Sequence, residues 1–146
     1  MKLSTKTRYG TRILMELALH ADEGALQVSR IAASQKIPVK YLEQLLRQLR
    51  QAGYVKSLRG PKGGHILIQS PDSISLGQIA RLFEAQTDLV ACVSLPDNCL
   101  ASGECVVRQA WKNATQALFE SLDSVSLADL IEATPAGVPV CPDDDQ

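Results

Sequence analysis

Residues 38–68 read Pro38-Val-Lys-Tyr-Leu-Glu-Gln-Leu-Leu-Arg-Gln-Leu-Arg-Gln-Ala-Gly-Tyr-Val-Lys-Ser-Leu-Arg-Gly-Pro-Lys-Gly-Gly-His-Ile-Leu-Ile68. Leu42, Leu45, Leu46 and Leu49 recur at spacings of three and four, the period of a helix with one apolar stripe. Pro38 suits the first turn of that helix and Gly53 its end. Lys40, Glu43, Gln44, Arg47 and Arg50 fall outside the stripe. Two short runs follow, Tyr54–Arg59 and His65–Ile68, joined by Gly60-Pro-Lys-Gly-Gly64. That pattern predicts two strands and a tight connection.

Upstream, residues 28–35 predict a short helix. Ser29 is its expected cap, and Ile31, Ala32 and Ala33 are its expected inner residues. Thr5 to about Ala21 predicts a longer helix carrying Tyr9, Ile13, Leu14, Leu17 and Ala18 on one face. Ser4 or Thr5 is its expected cap, and Gly24 follows its end. Lys6, Arg8 and Arg12 crowd its first turns, where cations oppose the helix dipole. A phosphate backbone or a solvated face would each account for them. A helix, a short helix, a third helix with polar outer residues and a hairpin make a winged helix–turn–helix. That is a geometry for placing one helix in a major groove.

Downstream, Ser75 and Gln78 match a capping box before a helix that buries Ile79, Leu82 and Phe83. From Cys105 to about Leu122 a long helix is expected, with Val107, Ala110, Trp111, Ala114, Ala117, Leu118 and Leu122 along one side. The domain before it is small, so a second copy of this helix is the expected partner. Ser126 and Asp129 repeat the capping pattern before a last helix over 127–132. The predicted fold class is therefore mainly α: a winged helix–turn–helix with a two-stranded wing and a long C-terminal dimerisation helix. The expected organisation is a winged-helix domain over 1–86, a cysteine loop over 87–104, a dimerisation helix with a short C-terminal helix over 105–133, and a disordered tail over 134–146.

The formal net charge of −1 conceals an asymmetry. Residues 1–70 carry twelve Lys/Arg against four Asp/Glu, and residues 71–146 carry three against twelve. The first half alone is suited to a polyanion such as double-stranded DNA. Neither an apolar leader nor a run of about 18 apolar residues is visible, so no membrane association and a cytoplasmic location are expected. Thiols there are mostly reduced, which favours metal or redox roles for cysteines over structural disulfides.

Cys92, Cys99 and Cys105 fall within fourteen residues. Zinc sites usually pair cysteines two to four residues apart. Gaps of six and five residues suit a loop wrapped round a larger object. Three thiolates can hold three corners of a four-iron cluster, or part of a two-iron cluster. Structural zinc, a reversible disulfide and simple apolar packing stay open on the residues alone. No Ser/His/Asp set, Walker loop or paired-carboxylate motif appears, so an enzyme is not expected.

Four stretches carry a family resemblance: Met1-Lys-Leu-Ser-Thr-Lys-Thr-Arg-Tyr-Gly10, Tyr41-Leu-Glu-Gln-Leu45, Arg59-Gly-Pro-Lys-Gly-Gly64 and Leu127-Ala-Asp-Leu130. Over nearly its whole length the chain resembles the small winged-helix repressors of the Rrf-two family, in their cluster-binding, three-cysteine form. The resemblance implies a homodimer on a partly palindromic DNA operator, with the long helices crossing between subunits. It implies that Tyr41, Glu43 and Gln44 lie on the recognition helix, with Glu43 and Gln44 facing base edges. It places Arg59 in the minor groove and Lys40, Arg47 and Lys62 on phosphates.

The resemblance also assigns Cys92, Cys99 and Cys105 as ligands of an iron–sulfur cluster. Where some members place a fourth ligand, His three residues after the last cysteine, this chain has Arg108. Where others use an acidic residue near the start of the first helix, it has Arg8. These departures favour a four-iron (4Fe-4S) cluster with one labile corner over a two-iron (2Fe-2S) cluster. Asp97, Glu104, Cys141, a thiol cofactor or water is left to complete it. The expected function is a transcriptional regulator, in the sense of a repressor, that senses iron, oxygen, nitric oxide or redox state. The alternatives are a thiol- or zinc-based regulator of the same fold and, in another class, a metal-binding protein-interaction module.

Overall fold

The computed structural model describes residues 2–95 and 104–136. Asp97, Cys99, Cys141 and most of the expected tail lie outside them. Helix α1 (Thr5–Leu19) leads through a turn of 3-10 helix (Ala21–Glu23) to α2 (Val28–Gln35) and α3 (Val39–Gln51). Strands β1 (Val55–Leu58) and β2 (Gly64–Leu67) pair antiparallel, with Val55 opposite Leu67 and Leu58 opposite Gly64. Then come α4 (Leu76–Phe83), a single turn α5 (Ala91–Ser94), the long α6 (Val106–Asp123) and α7 (Leu127–Glu132). This is the expected mainly α winged helix–turn–helix, with a two-stranded wing and a long C-terminal helix.

The core sits where α1, α2, α3 and α4 converge. Ile13, Leu14, Ile31, Leu42, Leu45, Leu49, Ile74 and Ile79 have no exposed surface. Fully burying such a side chain is worth about 1.5–3 kcal/mol, so the α3 stripe alone anchors that helix firmly. Gly10 allows α1 to lie against α4, since a Cβ there would stand 2.2 Å from Phe83 Cε2. The capping boxes at Ser75/Gln78 and Ser126/Asp129 both form. Helix α7 returns to the head, where Leu127 is buried and its N–H donates to the Ile74 carbonyl at 2.7 Å.

Three local expectations need correction. Helix α2 starts after Gln27, not at a Ser29 cap, because the Gln27 carbonyl already accepts from Arg30 and Ile31 N–H at 3.1 Å. Ala33 is exposed and Gln35 takes the buried position instead, hydrogen-bonded to α1. Ser4 occupies the N-cap position of α1, but its hydroxyl makes no cap bond and donates instead to Glu84 Oε1 at 2.9 Å.

Candidate nucleic-acid interface and cysteine site

Helix α3 turns its leucines inward, so its 3.6-residue period leaves Lys40, Glu43, Gln44, Arg47 and Arg50 exposed on the opposite side. Tyr41 differs from its neighbours. It is half-buried, and its ring meets Tyr9 of α1 edge-on at 5.9 Å between centroids. Burial raises its phenol pKa, which keeps the hydroxyl neutral. Tyr41 is thus placed to hold the start of α3 against α1.

A buried polar cluster fixes the turn between α2 and α3. Arg12 Nε donates to Gln35 Oε1 at 2.9 Å, and its Nη2 donates to the Gln35 carbonyl at 2.7 Å. Gln35 Nε2 in turn donates to Glu16 Oε2 at 2.9 Å. Arg12 also lies 5.2 Å from the centre of the Tyr9 ring. Of the three cations crowding the start of α1, Arg12 therefore faces neither phosphate nor solvent. The missing anion at that helix start comes from far along the chain. Glu84 accepts from Ser4 N at 2.8 Å and from the hydroxyls of Ser4 and Thr7. Burial pushes its carboxyl up, but these bonds outweigh that and hold it below the usual range.

The wing extends beside α3. Arg59 and Lys62 are exposed at its tip. Gly64 has φ of 149°, and a Cβ there would stand 2.3 Å from the Leu26 carbonyl oxygen, so only glycine lets β2 approach the segment before α2. That approach forms a bridge: Leu26 N donates to the His65 carbonyl at 2.9 Å, and His65 N to the Leu26 carbonyl at 2.7 Å. The sequence pattern did not flag Arg30, which lines one open cleft with Lys62 and is paired with Glu23 at 2.6 Å.

At the other end of the molecule, Cys92 lies on α5, and Cys105 is the N-cap of α6. Both are half-buried free thiols. Cys105 Sγ accepts from Arg108 N at 3.5 Å. The Arg108 Nε donates to the Cys92 carbonyl at 2.9 Å, which ties the two cysteine-bearing segments together. Leu89 N donates to Thr115 Oγ1 at 3.2 Å and fastens the same segment further along α6. Among the described residues, no three His, Cys, Asp or Glu side chains converge as a metal site. The third cysteine of the triplet, Cys99, lies outside them.

These features match one family. The profile of Rrf2, described as "Iron-dependent Transcriptional regulator", matches residues 3–133. The chain belongs to the Rrf2 family. It is 38% identical over 131 residues to Protein rrf2 of Nitratidesulfovibrio vulgaris, across 90% of this chain and 87% of that protein. Its fold is similar to the structure of T. potens IscR, with a TM-score of 0.74 and 35% identity over 94% of this chain and 92% of that one. It is also similar to CymR (YrzC), the global cysteine regulator of B. subtilis, with a TM-score of 0.78 and 39% identity over 92% of this chain and 99% of that one. Rrf2 regulators work by binding DNA and are not enzymes, and this chain is a DNA-binding regulator of that kind. Among the described residues, no helix is long and apolar enough to cross a membrane.

Proposed function

We propose that this Rrf2 protein is a homodimeric repressor that reads DNA through α3 and the wing and senses iron or redox state at its cysteine end. The observation that carries the sensing half is the hydrogen bond from Arg108 to the Cys92 carbonyl, beside the Cys105 cap of α6. Arg is a very poor ligand, and here it ties the Cys92 segment to α6.

Cys92, Cys99 and Cys105 are the proposed ligands of an iron–sulfur cluster, with four irons favoured. When bound, such a cluster supplies an iron centre that responds to oxidants and to iron supply. The two described thiols fit that use: both are free and half-buried, and Cys105 caps the N-terminus of α6. Arg108 and Thr115 link the cysteine segment to α6. The movement of that segment is thereby coupled to the helix proposed to join the subunits.

Dimerisation rests on α6. Its own chain covers Thr115 and Phe119, while Val106, Val107 and Trp111 are left largely exposed. A groove between the α1 face of the head and the C-terminal end of α6 is lined by Leu3, Met15, Leu76, Ala80 and Leu122, with Arg8 and Arg12 at it as well. An apolar helix face of that kind is the usual mark of a partner surface.

In the DNA half, Glu43 and Gln44 are proposed to read base edges, Lys40, Arg47 and Lys62 to hold phosphates, and Arg59 to enter the minor groove. Tyr41 steadies the helix. The test is selection of a duplex from a random library, followed by titration across salt. Affinity should fall steeply with salt through counterion release, and Gln44→Ala should relax preference at one position by about 1–3 kcal/mol. A salt-independent interaction would instead favour the protein-interaction module. A second reading keeps the DNA half and replaces the cluster by thiol chemistry. The similarity to a cysteine regulator supports it.

A further inference from the structure

Besides the packing of Val55 and Leu67 against the core, polar contacts fasten the wing to the head along two lines. One is the backbone bridge between His65 and Leu26. The other is a run of side chains, in which Arg50 Nη1 donates to Ser57 Oγ at 3.1 Å and Ser57 Oγ lies 3.0 Å from His65 Nδ1. It joins the last turn of α3 to β1 and β2. Arginine can only donate, so Ser57 Oγ accepts from Arg50; in the neutral ring tautomer protonated at Nε2, Nδ1 accepts the Ser57 hydroxyl proton and the run is complete.

We infer that Arg50, Ser57 and His65 form a positioning relay that sets the angle between the wing and the recognition helix, and through it the discrimination between specific and non-specific DNA. The inference rests on the reading of α3 and the wing as the DNA-binding surface. Base contacts from α3 and groove contacts from Arg59 must be made together, and a fixed angle is what makes them simultaneous.

The relay is loosened by a proton. Protonation at Nδ1 reverses its bond to Ser57, so that Arg50 and a charged His65 both donate to one hydroxyl oxygen and repel each other across it. The charged groups facing His65 are Arg50 and Glu43, both from α3. Strand β1 contributes the Ser57 hydroxyl, and the segment before α2 contributes the main chain of Leu26. Burial pushes the ring's pKa below its ordinary value of 6.5, Arg50 pushes the same way, and Glu43 opposes them. The intact relay is therefore the form present above that ordinary value, and it is lost as pH falls through the depressed folded value. The added charge attracts any phosphate backbone. Acid should thus strengthen non-specific binding while lowering the ratio of specific to non-specific affinity.

The test uses the full chain purified anaerobically, the selected duplex and a scrambled one, with anisotropy titrations from about pH 8 to about pH 5, the range in which histidine changes charge. The wild-type ratio should fall several-fold towards acid. His65→Asn offers an amide oxygen near the Nδ1 position and does not titrate, so its ratio should stay near the wild-type alkaline value throughout. Ser57→Ala should show a low ratio that does not vary with pH. Circular dichroism at each pH confirms that every variant is folded. Should Ser57→Ala fail to fold, the comparison of His65→Asn with wild type decides alone. A flat wild-type ratio, or a His65→Asn ratio that falls in parallel with it, overturns the relay. If no duplex is enriched at all, the DNA-binding assignment fails and the relay with it.

Discussion

Along α3, Leu42, Leu45 and Leu49 have no exposed surface, whereas on α6 Val106 is 80%, Val107 60% and Trp111 43% exposed. Both helices are amphipathic by sequence. The difference lies in what covers them. The stripe of α3 is closed over by α1, α2 and the wing of its own chain. On α6 the chain buries Thr115 and Phe119, with Arg81 4.5 Å from the Phe119 ring centre, and half-buries Leu118 and Leu122, while Val107, Ala110, Trp111, Ala114 and Ala117 of its apolar stripe stay exposed. The head is a finished unit, and the long helix waits for another surface. On the proposed reading, a sensor on the unfinished part would change how two finished heads are spaced without altering either.

Breaking the finished side should cost most. Leu45→Ala is expected to destabilise the head by about 2–5 kcal/mol in urea unfolding. A cost below 1 kcal/mol or so would mean the core is not closed as described. Val107→Lys should leave the melting of the head nearly unchanged while weakening association by roughly 2 kcal/mol, seen as monomer in sedimentation. A dimer that persists at low concentration would move the joint elsewhere. Glu84→Gln should cost about 1–3 kcal/mol, because the carboxylate accepts three bonds at the start of α1. The wild-type carboxyl is held below its ordinary value of 4.5, so its contribution is full above that value and is lost as pH falls through the lower folded one. The Gln variant should lack that acid dependence. Smallest is Arg81→Met. Its paired bonds to Asp123, both 2.7 Å, are exposed, and their loss should cost less than about 1 kcal/mol.

What the sequence revealed follows the same division. Where structure is local, the pattern was enough: the leucine stripe of α3, the glycine-rich wing and both capping boxes stand where the residues placed them. Where a contact joins distant parts of the chain, the pattern was silent. Nothing around Ser4 points to Glu84, eighty residues on. Arg12 reads as a surface cation until Gln35 and Glu16 close round it. Ser29 is a good cap by composition, but the bridge between Leu26 and His65 holds the preceding segment extended, and α2 begins after Gln27 instead. The relay through Ser57 was equally hidden, because its three members come from three elements. At the cysteine end, spacing alone left several chemistries open, and the role of Arg108 became visible only with the Cys92 carbonyl beside it.

The most direct test of the sensing account is an absorption spectrum of anaerobically purified protein, with iron and acid-labile sulfide counted per chain. The account predicts a brown protein with about four irons and a matching amount of sulfide, both lost in Cys105→Ala. A protein that stays colourless after anaerobic reconstitution would contradict it, and would hand the cysteines to zinc or thiol chemistry.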